Sequence, residues 1–215
     1  MADAPAFAVL VLAAGASRRM GRPKQLLPVD GAPLVRRVVG AAAASPAKPL
    51  VVVLGAHAAE IRPGLEGLAA HVVENAAWAE GMGASIRSGM AALDALAPQA
   101  KGVVICLADQ PDLCADHIAA LIEAAETGGR SIVASVRGGR RMPPVLFAAR
   151  HFPDLRQLEG DVGARALIEA HAAEVAEVPA EALRDLNTPL DYEEYLSGGG
   201  RRQVGSKRLP SIENG

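Results

Sequence analysis

The sequence predicts an α/β fold, one doubly wound domain on a mostly parallel sheet. Three observations carry that reading. Apolar runs such as Phe7 to Ala14, "PLVVVLG" and "KGVVICLADQP" have the length and Val/Leu content of strands buried on both faces. Amphipathic stretches alternate with these runs, the pattern of parallel strands joined by crossover helices. The chain has 215 residues, 50% of them apolar, which suits one domain with a full core.

Each element follows in order. Phe7 to Ala14 is the first strand, ended by glycine, serine and arginine residues that continue neither strand nor helix. Pro33 to Ala44 is read as a helix with Leu34, Val38 and Val39 on one face, and Pro49 to Gly55 as the second strand. Ala56 to Leu68 is the second helix and "HVVEN" a short third strand. Met82 to Leu96 is predicted helical, and the fourth strand runs from Lys101 to Asp109. "DHIAALIEAAE", from Asp116, gives another amphipathic helix, followed by "SIVASV" as a strand. From Gly138 the rhythm changes. In "GGRRMPPVLF" a basic turn precedes Pro143 and Pro144, which force extension before a short strand, Val145 to Phe147. A helix is expected near Gly163, an outer strand at "AEVAEVP", and a last helix from Pro189. The domain is expected to span residues 1–197. Residues 198–215, with three consecutive glycines and no periodicity, are read as a disordered tail.

Composition removes several function classes. A formal net charge of −2 argues against broad nucleic-acid binding and makes any basic cluster a local feature. No apolar stretch approaches the ~20 residues of a membrane span, and "MADAPAF" lacks the basic start and apolar middle of a signal peptide. A cytoplasmic protein is expected. Cys106 and Cys114 match no zinc or redox spacing and read as small thiols in a reducing compartment. The five histidines are scattered without an H-x-x-x-H pair, which gives a histidine metal site little support.

The chemistry concentrates in "LVLAAGASRRMGRPKQLLP". A loop leaving the carboxyl end of a buried strand opens onto the crevice where open α/β sheets bind ligands. Arg18, Arg19, Arg22 and Lys24 give that crevice a positive field, while glycines let backbone N–H groups come close to an anion. The other reading is a solvated basic turn. The loop carries neither G-x-G-x-x-G nor the P-loop pattern, so it handles phosphate in another way. Asp109 ends the fourth strand at the same edge of the sheet, and a carboxylate there suits Mg²⁺ shared with substrate phosphates. It could equally start a turn with Pro111. In "ENAAWAEGMGASIRSG", Gly81, Gly83 and Ser85 offer amides and a hydroxyl at a helix start, and Trp78 either walls a pocket or simply packs.

With these pieces in order, the sequence resembles the nucleotidyltransferase family typified by molybdenum cofactor cytidylyltransferases and their guanylyltransferase relatives. The resemblance runs from about Phe7 to Leu196 through "LAAGASRRMGRPKQLLP", "ENAAWAEGMGASIRSGM", "LADQPDL", "PPVLF", "LEGDVGAR" and "DLNTPLDY". It implies a Rossmann-like domain of the nucleotide-diphospho-sugar transferase type that binds a nucleoside triphosphate and Mg²⁺. On the resemblance, Leu12, Ala13, Ala14 and Gly15 frame the base. Asn75, Gly83 and Ser85 belong to the nucleotide site, and Arg19 and Lys24 hold the triphosphate. Asp109 is the metal ligand, Asn187 a second one, and Asp161 and Arg165 lie on the acceptor side. Ala14 resembles the cytidylyltransferase branch, since guanylyltransferases carry a second glycine there. Asn187 stands where cytidylyltransferases carry aspartate, and Met142-Pro143-Pro144 where they read Gly-His-Pro.

The implied reaction is transfer of CMP from CTP to the phosphate of molybdopterin with release of pyrophosphate, the product passing to a molybdenum hydroxylase. A phosphate monoester is already an anion, so no general base is required. Arg19, Lys24 and Asp109 then act by positioning and charge neutralisation. The alternatives are a transferase for a sugar or polyol phosphate, a guanylyltransferase, and a non-catalytic protein that delivers cofactor.

Overall fold

The computed structural model describes residues 7–161 and 163–198. The expected tail, apart from its first residue, lies outside the described residues. Strand β1 (Phe7–Ala13) is the centre of the molecule, paired in parallel with β4 (Leu50–Leu54) on one side and β6 (Gly102–Leu107) on the other. β5 (His71–Glu74) extends the sheet beyond β4. Beyond β6 lie β8 (Arg140–Ala148), β7 (Ile132–Arg137) and β9 (Val175–Pro179), so the order is β5-β4-β1-β6-β8-β7-β9. β8 runs antiparallel to both β6 and β7, while β9 is parallel to β7.

Alternation along β1 explains why both faces are covered. Phe7, Val9, Val11 and Ala13 join one core, with α1 (Leu34–Ala44), α2 (Ala58–Ile61), α4 (Ala115–Gly128) and α7 (Pro189–Ser197) contributing from that face. Ala8, Leu10, Leu12 and Ala14 join the other, with α3 (Met82–Leu96), α5 (Phe152–Leu155) and α6 (Arg165–Ala170). Among the described residues, no helix is long and apolar enough to cross a membrane.

Two local expectations are corrected and one element is added. The helix expected from Ala56 to Leu68 is one α-turn, Ala58–Ile61, followed by a 3-10 turn, Arg62–Leu65, because Pro63 lacks an N–H and Gly64 weakens helix continuation. The strand expected at Val145 to Phe147 is three times as long. Ala134 pairs with Val145 and Ser135 with Met142, so Pro143 and Pro144 fall in a bulge where no ladder N–H is needed. A two-residue ribbon, β2 (Pro28–Val29) with β3 (Ala32–Pro33), is an addition. Its turn, Asp30-Gly31, has φ of 49° and 82°, the left-handed pair that an Asp-Gly hairpin favours.

Candidate active site

The loop after β1 is held open by a buried side chain. Gln25, 2% exposed, donates from Nε2 to the carbonyls of Ala13 at 3.0 Å and Gly15 at 2.8 Å, and its Oε1 accepts from Ser17 Oγ at 3.1 Å. Ser17 Oγ in turn accepts from the Lys24 amide at 3.1 Å. These contacts fold residues 13–25 into a rim around a cavity of about 330 Å³. Leu12, Ala13, Ala14, Gly15 and Ser85 all line it, as do Arg18, Trp78 and Asp161. A Cβ built on Gly15 would meet no protein atom within 4 Å. Gly15 lines the cavity, and open space lies where its side chain would stand.

At one end of the cavity four of the expected site residues meet. Lys24 Nζ donates to Asp109 Oδ2 at 2.5 Å and to Asn187 Oδ1 at 3.1 Å, and Arg19 donates to the same Asn187 oxygen at 3.2 Å. Lys24 thus touches Asp109 instead of facing it across an open cleft. Asp109 is 7% exposed, and its other oxygen, Oδ1, is buried with no partner. Asn187 is placed by the start of α7. Asp191 Oδ2 accepts from the amides of Asn187 at 2.9 Å and Thr188 at 2.8 Å, while Thr188 Oγ1 caps the helix. Partial burial opposes charge on Asp191, but these N–H donors outweigh it and hold its carboxyl below the usual range.

The remaining expected residues take other places. Asn75 is buried beside the cavity, donating to Ser85 Oγ at 3.2 Å and accepting the Ala77 amide at 3.0 Å, so it orients the serine. Gly83 packs on the backbone of Leu158 and Glu159, where a Cβ would lie 2.8 Å from the Leu158 carbonyl oxygen. Both have supporting positions, not lining ones. Arg165 is parted from Asp161: it lines a second cavity of about 760 Å³, which meets the first at Met82 and Leu107. Ile86, Ile105, Val145 and Phe147 give this space an apolar floor, and Arg140, Arg141 and Arg165 give it cationic groups. Arg22 leaves the loop to lie 5.9 Å over the Tyr192 ring.

Two side chains next to the cluster escaped the sequence reading. Gln110, fully buried, donates to the Pro143 carbonyl at 2.8 Å and to Asp185 Oδ1 at 2.9 Å, tying β6, β8 and the segment before α7 together. Burial first, and the Asp109 charge second, push the Asp185 carboxyl above the usual range. Both stand inside "LADQPDL" and "RDLNTP", but only the contact between those segments reveals them.

This arrangement can bind polyphosphate: an ammonium, guanidinium groups and glycine-rich backbone surround one cavity, and a carboxylate with an orphaned oxygen stands ready for a cation. Comparison with known proteins agrees with that chemistry. The family model described as "MobA-like NTP transferase domain" matches residues 9–175. The purine catabolism protein PucB of Bacillus subtilis (strain 168) is 32% identical over 193 residues, covering 85% of this chain and 92% of the relative. The nicotine blue oxidoreductase of Paenarthrobacter nicotinovorans is 34% identical over 173 residues, covering 77% and 83%. Rv0371c of Mycobacterium tuberculosis H37Rv, crystallised in complex with manganese, superposes with a TM-score of 0.72 at 27% identity, covering 89% of this chain and 98% of that one. The chain belongs to the MobA-like NTP transferase family.

Proposed function

We propose that this nucleotidyltransferase transfers CMP from CTP to the phosphate of molybdopterin, releasing pyrophosphate, and that the product serves a molybdenum hydroxylase. The observation that carries the reading is the convergence of Lys24, Arg19, Asp109 and Asn187 at one end of the first cavity, just past the end of β6. The small cavity takes the nucleotide, with the base against Leu12 to Gly15. The larger one takes an extended acceptor with an apolar body and anionic end, for which its apolar floor and Arg140 are suited, with Arg141 and Arg165 able to turn from Glu177 and Glu169.

The acceptor phosphate oxygen attacks the α-phosphorus in line. A new P–O bond forms, the bond to the β-phosphate oxygen breaks, and pyrophosphate carries away the electron pair. Lys24 neutralises charge on the α-phosphoryl oxygens, and Arg18 and Arg19 hold the leaving group. No side chain needs to remove a proton, in keeping with a cavity that no histidine lines. Mg²⁺ fits the residues present, since Asp109 Oδ1 is unpartnered and Asn187 offers a neutral oxygen on the same ammonium; bound there, it would offset phosphate charge. The manganese complex of Rv0371c supports a divalent cation in this family. Asn187 brings no charge where aspartate would, and Asp185, whose carboxyl feels the Asp109 charge, stands nearby. The Paenarthrobacter relative bears the name of a redox enzyme; the loop after β1 here lacks the dinucleotide fingerprint, which favours transfer.

The test is pyrophosphate release from CTP, GTP, ATP and UTP in parallel, with Mg²⁺ and molybdopterin. Release with CTP alone is expected. Release with another nucleotide would reassign the base, and silence with all four while CTP binds would point to a different phosphorylated acceptor or to cofactor delivery.

A further inference from the structure

A second cluster lies at the opposite end of the sheet, where β7 and β9 begin and β8 ends. His151 follows β8 and is 2% exposed. Its Nε2 lies 2.8 Å from Ser131 Oγ, and Ser131 donates its hydroxyl proton to Glu174 Oε2 at 2.7 Å. The Arg150 guanidinium donates to that same Glu174 oxygen, which keeps it an acceptor. A hydroxyl that has given away its proton can only accept, so Nε2 of His151 carries hydrogen and Nδ1 carries the lone pair. That lone pair faces Asp154 Oδ2 at 3.9 Å, beyond hydrogen-bond reach. The His171 ring closes the third side, with its centroid 4.8 Å from that of His151. One donor atom from each of His151, Asp154 and His171 falls within 4.8 Å of the others.

The Nδ1 lone pair of a buried imidazole and an exposed carboxylate stand beside the same space as two acceptors with no protein donor between them. A cation resolves that opposition. We propose that His151, Asp154 and His171 bind one divalent ion of the zinc class, at a site separate from the nucleotide end of the sheet. Two imidazoles and one carboxylate are a ligand set that zinc, cobalt and nickel accept, with water free to take a fourth position. The outer shell is also in place. His151 donates its other ring N–H to Ser131, a contact of the kind that orients a metal-bound histidine, and the Glu174 carboxylate stands 3.6 Å from His171 Nδ1, near enough to attract its charge but too far for a hydrogen bond. Asp154 and His171 have side chains 54% and 34% exposed, so both can close on an ion without disturbing the core. The ion would pin the turn after β8 to the turn before β9. Ala172, beside His171, lines the larger cavity, so the pin would also hold one of its walls.

The experiment uses the whole chain stripped with a chelator, and its Asp109→Asn variant to remove the nucleotide-end carboxylate. Co²⁺ is titrated by visible absorption and Zn²⁺ by calorimetry. One equivalent of Co²⁺ is expected to bind in both proteins, with the ligand-field bands of a nitrogen- and oxygen-ligated ion. Loss of an outer-shell partner weakens metal binding roughly 10- to 100-fold, and His171→Ala, which removes a ligand, should weaken it at least that much. Asp154→Asn, on an exposed side chain, should weaken it in a folded protein, and His57→Ala should leave it unchanged. Zinc should raise the melting temperature of the parent and not of His171→Ala. Equal affinity in parent, His171→Ala and Asp154→Asn, or loss of the site in Asp109→Asn alone, would overturn the proposal.

Discussion

Lys24 and Asp109 stand 85 residues apart in the chain and form an ion pair at 2.5 Å, with side chains only 18% and 10% exposed. The contact joins the loop after β1 to the end of β6, two neighbouring parallel strands. The Lys24 ammonium also touches Asn187, so one positive charge occupies the space between two oxygens suited to a metal. Binding of a nucleotide with its cation should exchange these partners: the lysine turns to phosphate and the carboxylate to the ion.

Removing the carboxylate should therefore stop the reaction without unfolding the chain. Asp109→Ala leaves Lys24 its Asn187 contact and some access to solvent, so circular dichroism should be unchanged. Pyrophosphate release should fall by about 10²–10³ or more, the size of loss seen for a preorganised electrostatic group. Turnover close to that of the parent would remove Asp109 from the mechanism.

For Lys24→Ala the expected loss is about 2–4 kcal/mol of transition-state stabilisation, carried mainly by kcat. A variant with raised KM and unchanged kcat would instead make Lys24 a binding residue.

Gly15→Ala separates ligand from fold. Its Cβ would meet nothing in the protein and its φ lies outside the left-handed region, so the urea midpoint should stay within the roughly 0.5 kcal/mol of an ordinary surface change. Nucleotide affinity should drop, because Gly15 lines the cavity and the base is proposed to lie against it. Unchanged affinity in an equilibrium titration would show that no ligand comes near this position.

Gln25→Ala should do the reverse to stability. It leaves the Ala13 and Gly15 carbonyls without their donor, a loss of about 1–3 kcal/mol by urea unfolding if they stay dry. A midpoint equal to that of the parent would mean that water replaces the amide.

Acid should weaken the fold through His117. Burial holds its pKa below the ordinary value, and it faces Ser135 Oγ at 2.8 Å. The unfolded chain then binds the proton more readily, so stability is fully present above the unfolded pKa of about 6.5 and falls as pH drops below it. The slope approaches about 1.4 kcal/mol per pH unit for one proton. His117→Gln should flatten unfolding free energy against pH below about 6.5; an unchanged slope would assign the acid sensitivity elsewhere.

The sheet was readable from apolar runs because parallel strands bury both faces, so β1, β4 and β6 appear as continuous Val/Leu stretches. The direction of β8 was not, since periodicity carries no sign and two adjacent prolines made the strand look short. Glycine, charge and strand ends mark Gly15, Lys24 and Asp109 in the sequence, and the family resemblance marks Leu12 to Ala14; the structure brings them around one cavity. Gln25, Gln110 and Asp185 could not be read, being uncharged or ordinary residues whose importance lies in which distant carbonyl or amide they meet. The same limit applies to His151 and His171, whose spacing matches no metal motif; the chain brings them together across two short helices, α5 and α6.

The reversed strand β8 has a consequence for how such a protein can change. It walls only the second cavity: the first is lined by β1, β6 and their loops, while the neighbouring space is shaped by β8 and α6 together with Ile105 and Leu107 of β6. Substitutions around Arg140, Arg141 and Arg165 can reshape the second space without disturbing Lys24 or Asp109. Descendants of one ancestral chain could thus exchange acceptors while keeping the same nucleotide handle, and divergence in this lineage would gather on one half of the sheet.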